Sequence, residues 1–132
     1  MTGGTTSDWR CAATLLRVYI ALRVRGLHRV LVATNATPLG APSPDDDRIE
    51  AARRIARAVE RTAALLPLRA RCIEQSIAML VLCRRRGIPC RLQIGARPLP
   101  FAAHAWVEVD GVAVNGDTEL LTGFAPFPEP ER

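Results

Sequence analysis

The sequence predicts an α+β fold in which helices come first and a small antiparallel sheet follows. Three observations predict it. Apolar residues recur at helical spacing through three segments before Gly87. Beyond Pro89 the period falls to two, in "CRLQIGAR" and "HAWVEV". The Asp110-Gly111 pair then marks a tight hairpin turn, whose two central positions both need positive φ. Helices followed by strands make an α+β layout rather than alternating βαβ units.

Each element has its own signals. A helix is expected from Ser7 or Asp8 to about Arg25, with Trp9, Ala12, Ala13, Leu16, Tyr19, Ile20 and Leu22 near one face and Gly26 as its stop. "LHRVLVAT" suits a helical turn or a strand equally. "TNATPLGAPSP" reads as a loop. The next helix begins behind the acidic run Asp45–Asp47, which suits capping and the helix dipole, and presents Ile49, Ala52, Ile55, Ala56 and Val59. Pro67 ends it. A further helix is expected from about Arg71 to Arg86, striped by Ile73, Ile77, Leu80 and Val81 and closed by Gly87. About three strands complete the sheet. Residues 1–7 read as a disordered tail, 8–123 as a single domain, and 124–132 as a tail too proline-rich for regular structure.

Composition narrows the function. The chain has 132 residues, 48% of them hydrophobic, enough for one domain with a real core. Its formal charge is +5, and all 18 basic residues are arginine. Without lysine there is no GxxxxGK phosphate loop and no Schiff-base lysine. The arginines are scattered over helices with few aromatics among them, which suits solvated faces better than a nucleic-acid surface. No signal-peptide pattern opens the chain, and the most apolar run is interrupted by Arg17 and Arg23. These features predict a cytoplasmic protein with no membrane contact and with its four cysteines reduced. No CxxC pair occurs, which argues against structural zinc.

Chemistry is suggested by Cys72, His104 and Asp117. Cys72 stands at the start of its helix, where the positive end of the dipole favours a thiolate. Counting back from a turn at 110–111 pairs Val109 with Val112, Glu108 with Ala113 and Val107 with Val114. Trp106 then meets Asn115, and His104 meets Asp117. Pairs alternate along such a ladder, so 104/117 is a non-hydrogen-bonded pair with Cα atoms roughly 4.5 Å apart. That sets a carboxylate beside an imidazole, the arrangement a catalytic base needs. Asp110 is held at the turn, and Glu108 lies two pairs away. Cys83 and Cys90 read as buried thiols. Cys83 lies about 16 Å along the helix from Cys72, too far for a disulfide. His28 is expected to be exposed, and Trp106 and Asn115 to support the site.

These residues carry a resemblance. "CIEQSIAMLVLCRRRGIPC", "LQIGAR", "HAWVEVDG" and "VNGD" resemble the transglutaminase-like, papain-like cysteine peptidases of lasso-peptide biosynthesis, in their stand-alone leader-peptidase form. The resemblance covers roughly residues 10–120. It implies Cys72 as nucleophile, His104 as general base and Asp117 as third member. It also implies removal of a leader from a ribosomally made precursor peptide through a thioester, before a separate cyclase closes the ring. The chain has little room for a leader-recognition domain, so a separate recognition protein is expected as partner, with the lasso cyclase as a further one. Such hydrolysis needs no metal, nucleotide or other cofactor. No glutamine stands shortly before Cys72 to bind the oxyanion; the Cys72 N–H is one donor, with Gln75 and Gln93 as candidates for the second. Two other readings fit the same residues: an amine-accepting transferase or amidase on this triad, and a non-catalytic peptide- or nucleic-acid-binding protein.

Overall fold

In a computed structural model of the chain, residues 8–41, 47–66, 72–98, 101–115 and 125–126 are described. Among these residues four helices precede four strands: α1 (Asp8–Arg25), α2 (Leu27–Asn35), α3 (Arg48–Leu65), α4 (Cys72–Arg85), β1 (Arg91–Pro98), β2 (Phe101–Val109), β3 (Val112–Ala113) and β4 (Ala125–Pro126). The sheet is antiparallel with order β3-β2-β1-β4. The α+β layout is the one the sequence predicts. The ambiguous "LHRVLVAT" segment is helical, and Gly26, at φ 85°, makes the break between α1 and α2.

Helix α4 is the centre of the molecule. It touches α1, α2 and α3 on one side and β1 and β2 on the other. Burial therefore runs nearly all round it: Glu74, Ser76, Ile77, Ala78, Met79, Leu80, Leu82 and Cys83 are buried. The four-residue stripe expected from periodicity is too narrow for an element covered on both sides. Its end has a specific stop. The Gly87 N–H donates to the Arg84 carbonyl and the Ile88 N–H to the Cys83 carbonyl, both at 3.0 Å. With Gly87 at φ 79° and Ile88 buried, this is the Schellman arrangement.

The inward face of α1 differs from the expected one. Cys11, Thr14, Leu15 and Val18 are buried, whereas Trp9, Leu16 and Ile20 are exposed, Trp9 by 68%. Apolar residues surround α1, so two stripes compete in the sequence. The one at 11, 15 and 18 meets α3 and α4. In α3 the expected face holds: Ala52, Ile55, Ala56 and Val59 are buried. Asp47 caps this helix, its Oδ1 accepting from the Glu50 N–H at 3.0 Å. The C-terminal segment also differs. Ala125 and Pro126 form β4, pairing with Ala96 and Gly95. An edge strand needs bonds on one side only, so a residue without an N–H is tolerated there.

The segment after α2 is fastened to the end of α4. The Gly40 N–H donates to the Arg84 carbonyl at 2.7 Å, and Arg84 Nε donates to the Thr37 carbonyl at 2.8 Å. A Cβ on Gly40 would collide with the backbone carbonyl of Arg85. Gly40→Ala is therefore expected to destabilise the fold by about 1–3 kcal/mol, the usual range for overpacking. Urea unfolding measures this, with Ala41→Gly as a reference for an exposed neighbour.

Candidate active site

Cys72 is the first residue of α4, and His104 lies in β2 opposite Gly95 of β1. The two are 32 positions apart, yet they line one cleft of about 540 Å³. Its other walls are Ile73 and Glu74 of α4, Ile94 of β1, Ala105 of β2, and Leu22, Arg23 and Leu27 from the α1–α2 junction. Apart from Arg23 and Glu74, these walls are apolar. Burial pushes the His104 imidazole below its ordinary value of about 6.5, because a partly buried site disfavours imidazolium. The neutral form, able to accept a proton, is thereby favoured.

The hairpin follows the predicted register over its first pairs. Asp110 and Gly111 have φ of 52° and 80°, as a two-residue turn of this type requires. Val109 pairs with Val112 and Glu108 with Ala113, and the Val114 N–H donates to the Val107 carbonyl at 3.0 Å. The ladder then changes. The Val107 N–H donates to Asn115 Oδ1 at 2.7 Å, where a continuing ladder would offer it the Val114 carbonyl. A side-chain amide thus takes the place of the next main-chain bond. Asp117, expected beside His104, lies outside the described residues.

The hairpin's other acids are engaged elsewhere. Asp110 pairs with Arg48 at 2.8 Å, tying the turn to the start of α3. Glu108 accepts from Trp106 Nε1 at 3.0 Å. Trp106 stacks with His104, ring centroids 6.3 Å apart and 19° from parallel, so the indole supports the imidazole and is itself supported by Glu108. This matches the supporting part expected of Trp106.

Asn115 does more than end the ladder. Its Nδ2 donates to Ser76 Oγ at 3.0 Å, and Ser76 Oγ donates to the Ala105 carbonyl at 3.1 Å. Ser76 is fully buried and stands one turn after Cys72; Ala105 directly follows His104. The chain Val107–Asn115–Ser76–Ala105 therefore holds the Cys72 end of α4 to the His104 end of β2. Sequence reading missed Ser76. Its only signal was a small polar residue on the same helix face as the cysteine.

The other expected residues fall away from the cleft. Gln75 and Gln93 do not line it. Cys11 and Cys83 are fully buried, and all four cysteines are free thiols. The Cys83 thiol is pushed up, first by its hydrogen bond with Cys90 and then by burial, so it stays protonated and unreactive. His28 is exposed, as expected. Among the described residues, no helix is long and apolar enough to cross a membrane.

A cysteine at a helix start and a histidine on a strand thus line one cleft. A family model described as the Transglutaminase-like superfamily matches residues 12–129. Comparisons with curated proteins and with solved structures gave no significant match.

Two measurements follow from this geometry. In a His28→Gln background the remaining imidazole is His104, and its proton NMR titration is expected to have a midpoint below about 6.5. The folded protein then binds fewer protons than the unfolded chain as pH falls through that value. The stability contributed by neutral His104 is present above it and lost below it. Ser76→Ala removes the acceptor of Asn115 Nδ2 and the donor to Ala105. It is expected to cost about 1–3 kcal/mol in urea unfolding and to shift the His104 ring signal, which a distant core change would leave in place.

Proposed function

Because the chain belongs to the transglutaminase-like superfamily, whose members are typically cysteine hydrolases or acyltransferases, we propose that it is a cysteine peptidase that removes the leader from a ribosomally made lasso-peptide precursor. The observation that carries the chemical part of this reading is the single cleft shared by Cys72 and His104. The choice of substrate is supported by the motifs "CIEQSIAMLVLCRRRGIPC" and "HAWVEVDG".

In this reading the Cys72 sulfur attacks the scissile carbonyl while His104 takes the thiol proton. The tetrahedral intermediate collapses to a thioester as His104 protonates the leaving amine. His104 then draws a proton from water, whose oxygen attacks the thioester and releases Cys72. A depressed imidazole suits the first and third steps, where it accepts a proton. Burial of the cleft's apolar walls strengthens electrostatic interactions within it. Asp117 orients His104 and stabilises its protonated form. The oxyanion is held by the Cys72 N–H, one of the unpaired donors of the first helical turn. A separate leader-recognition protein raises the effective concentration of the precursor at this cleft.

The test is incubation with the precursor, with and without the recognition protein, followed by mass spectrometry. Leader and core fragments are expected, formed faster with the recognition protein. Added amine that appears in the product as an amide identifies an acyltransferase instead. Cys72→Ala is expected to abolish turnover, while Cys11→Ala, Cys83→Ala and Cys90→Ala retain it. Asp117→Asn is expected to slow turnover by about 10²–10⁴-fold, as loss of an orienting carboxylate does. Asp110→Asn, which keeps a turn-forming residue and loses one exposed ion pair, is expected to leave the rate within about twofold.

A further inference from the structure

A larger groove lies away from Cys72 and His104. It has a volume of about 730 Å³ and runs between α1, α2, the segment 36–40 and α4. It shares no lining residue with the Cys72 cleft. Its floor is aliphatic, formed by residues such as Val18, Val30, Ile77 and Val81. Around that floor stand Arg17 and Arg25 of α1 and Arg85 of α4, all exposed. A neighbouring depression of about 320 Å³ shares Arg17 and Arg85 and adds Arg10 and Arg86. Among the described residues, no acidic one lines either.

Helix dipoles account for part of this pattern. Arg25 and Arg85 lie in the last turns of their helices, where cations are favourable. They do not account for Arg17, in the middle of α1, nor for the meeting of three cations from two helices over one apolar floor. Elsewhere arginines meet carboxylates: Arg48 pairs with Asp110 and Arg57 with Glu50. The groove is also built in advance. Its 36–40 wall is fastened to α4 by the Gly40–Arg84 and Arg84–Thr37 hydrogen bonds, so a ligand need not order it.

We infer that this groove docks an acidic peptide segment bearing aliphatic side chains, presented by a protein partner. The floor takes the apolar side chains, and the arginines read the carboxylates and fix the segment's direction. A nucleic-acid strand fits less well. Strand binding relies on aromatic platforms for the bases; among the described residues none lines the larger groove, and Trp9 in the neighbouring depression is already covered by Arg10. The docking site is independent of the peptidase reading, since neither Cys72 nor His104 takes part.

The test uses the full chain carrying Cys72→Ala, so that no probe is cleaved. A fluorescein-labelled amphipathic peptide of Leu and Glu is titrated by anisotropy. Its Leu/Lys counterpart and a single-stranded oligonucleotide of matching charge are titrated alongside. The Leu/Glu peptide is expected to bind, more weakly as salt rises, and at least about tenfold more weakly to the Arg17→Gln/Arg25→Gln/Arg85→Gln variant. Amide NMR shifts on the unsubstituted arginine background are expected at residues 36–40 and in α1, which keeps the test valid if the triple variant is unstable. The inference is overturned by equal binding of the Leu/Lys peptide, by tighter binding of the oligonucleotide, or by shifts confined to the Cys72 cleft. Absence of binding at about 1 mM Leu/Glu peptide, the millimolar limit of weak association, also overturns it.

Discussion

The geometry of this protein depends on how α4 is held against β2. Apolar contact alone does not fix that relation, because it is non-directional and a helix can slide or turn on a sheet with little change in buried area. Ser76 removes this freedom. Its hydroxyl receives a hydrogen from Asn115 and gives one to the Ala105 carbonyl, so the helix is registered to the strand at one height. The bonds are buried, where an unmade one is costly. At the other end of α4 the Arg84 carbonyl and side chain are tied to Gly40 and Thr37. The helix is thus pinned near both ends, and Cys72 inherits its position from the nearer pin.

Side-chain charge also fixes local geometry. Several carboxylates are committed to structural work: Asp47 caps α3, Asp110 ties the hairpin turn to Arg48, Glu108 holds Trp106, and Glu50 pairs with Arg57. None of these four acids lines the groove around which Arg17, Arg25 and Arg85 stand. Arg17, Arg25 and Arg85 stand around the aliphatic groove, while a separate cleft carries the cysteine and histidine.

How much of this was legible in the sequence depended on whether local chemistry or tertiary context decided the outcome. The Asp110-Gly111 turn, the Asp47 cap and the Gly87 stop are set by φ and by unpaired backbone groups, and each was read from a few residues. Cys72 and His104 were placed correctly at a helix start and on a strand because those elements were legible. The face of α1 was misread because Trp9, Leu16 and Ile20 make as good a stripe as Cys11, Leu15 and Val18; only the packing of α3 and α4 chooses between them. Helix α2 carries too short an apolar run for either period to show. Ser76 was illegible because a buried hydroxyl differs from an exposed one only in what surrounds it. Asn115 was expected as support, but its capture of the Val107 N–H was not. That substitution ends the regular ladder at Val107 and Val114, one pair before the count sets Trp106 against Asn115 and three before it sets His104 against Asp117.

The chain order of these parts has a consequence for how the protein assembles. Cys72, Ser76, His104, Ala105 and Asn115 all fall within one stretch of 44 positions, α4 through the end of the hairpin. Its strands join consecutive neighbours, β1 to β2 and β2 to β3, so its contacts are short in sequence. Low contact order lowers the loop-closure cost of an early nucleus. Cys72 and His104 therefore lie in a stretch that packs largely on itself, whereas α1 and α2, which wall both concavities, contact α4 from further along the chain. Exposed positions on those walls, such as Arg17 and Leu27, can therefore be changed to alter what the concavities capture while the core residues Cys11, Leu15 and Val18 stay in place.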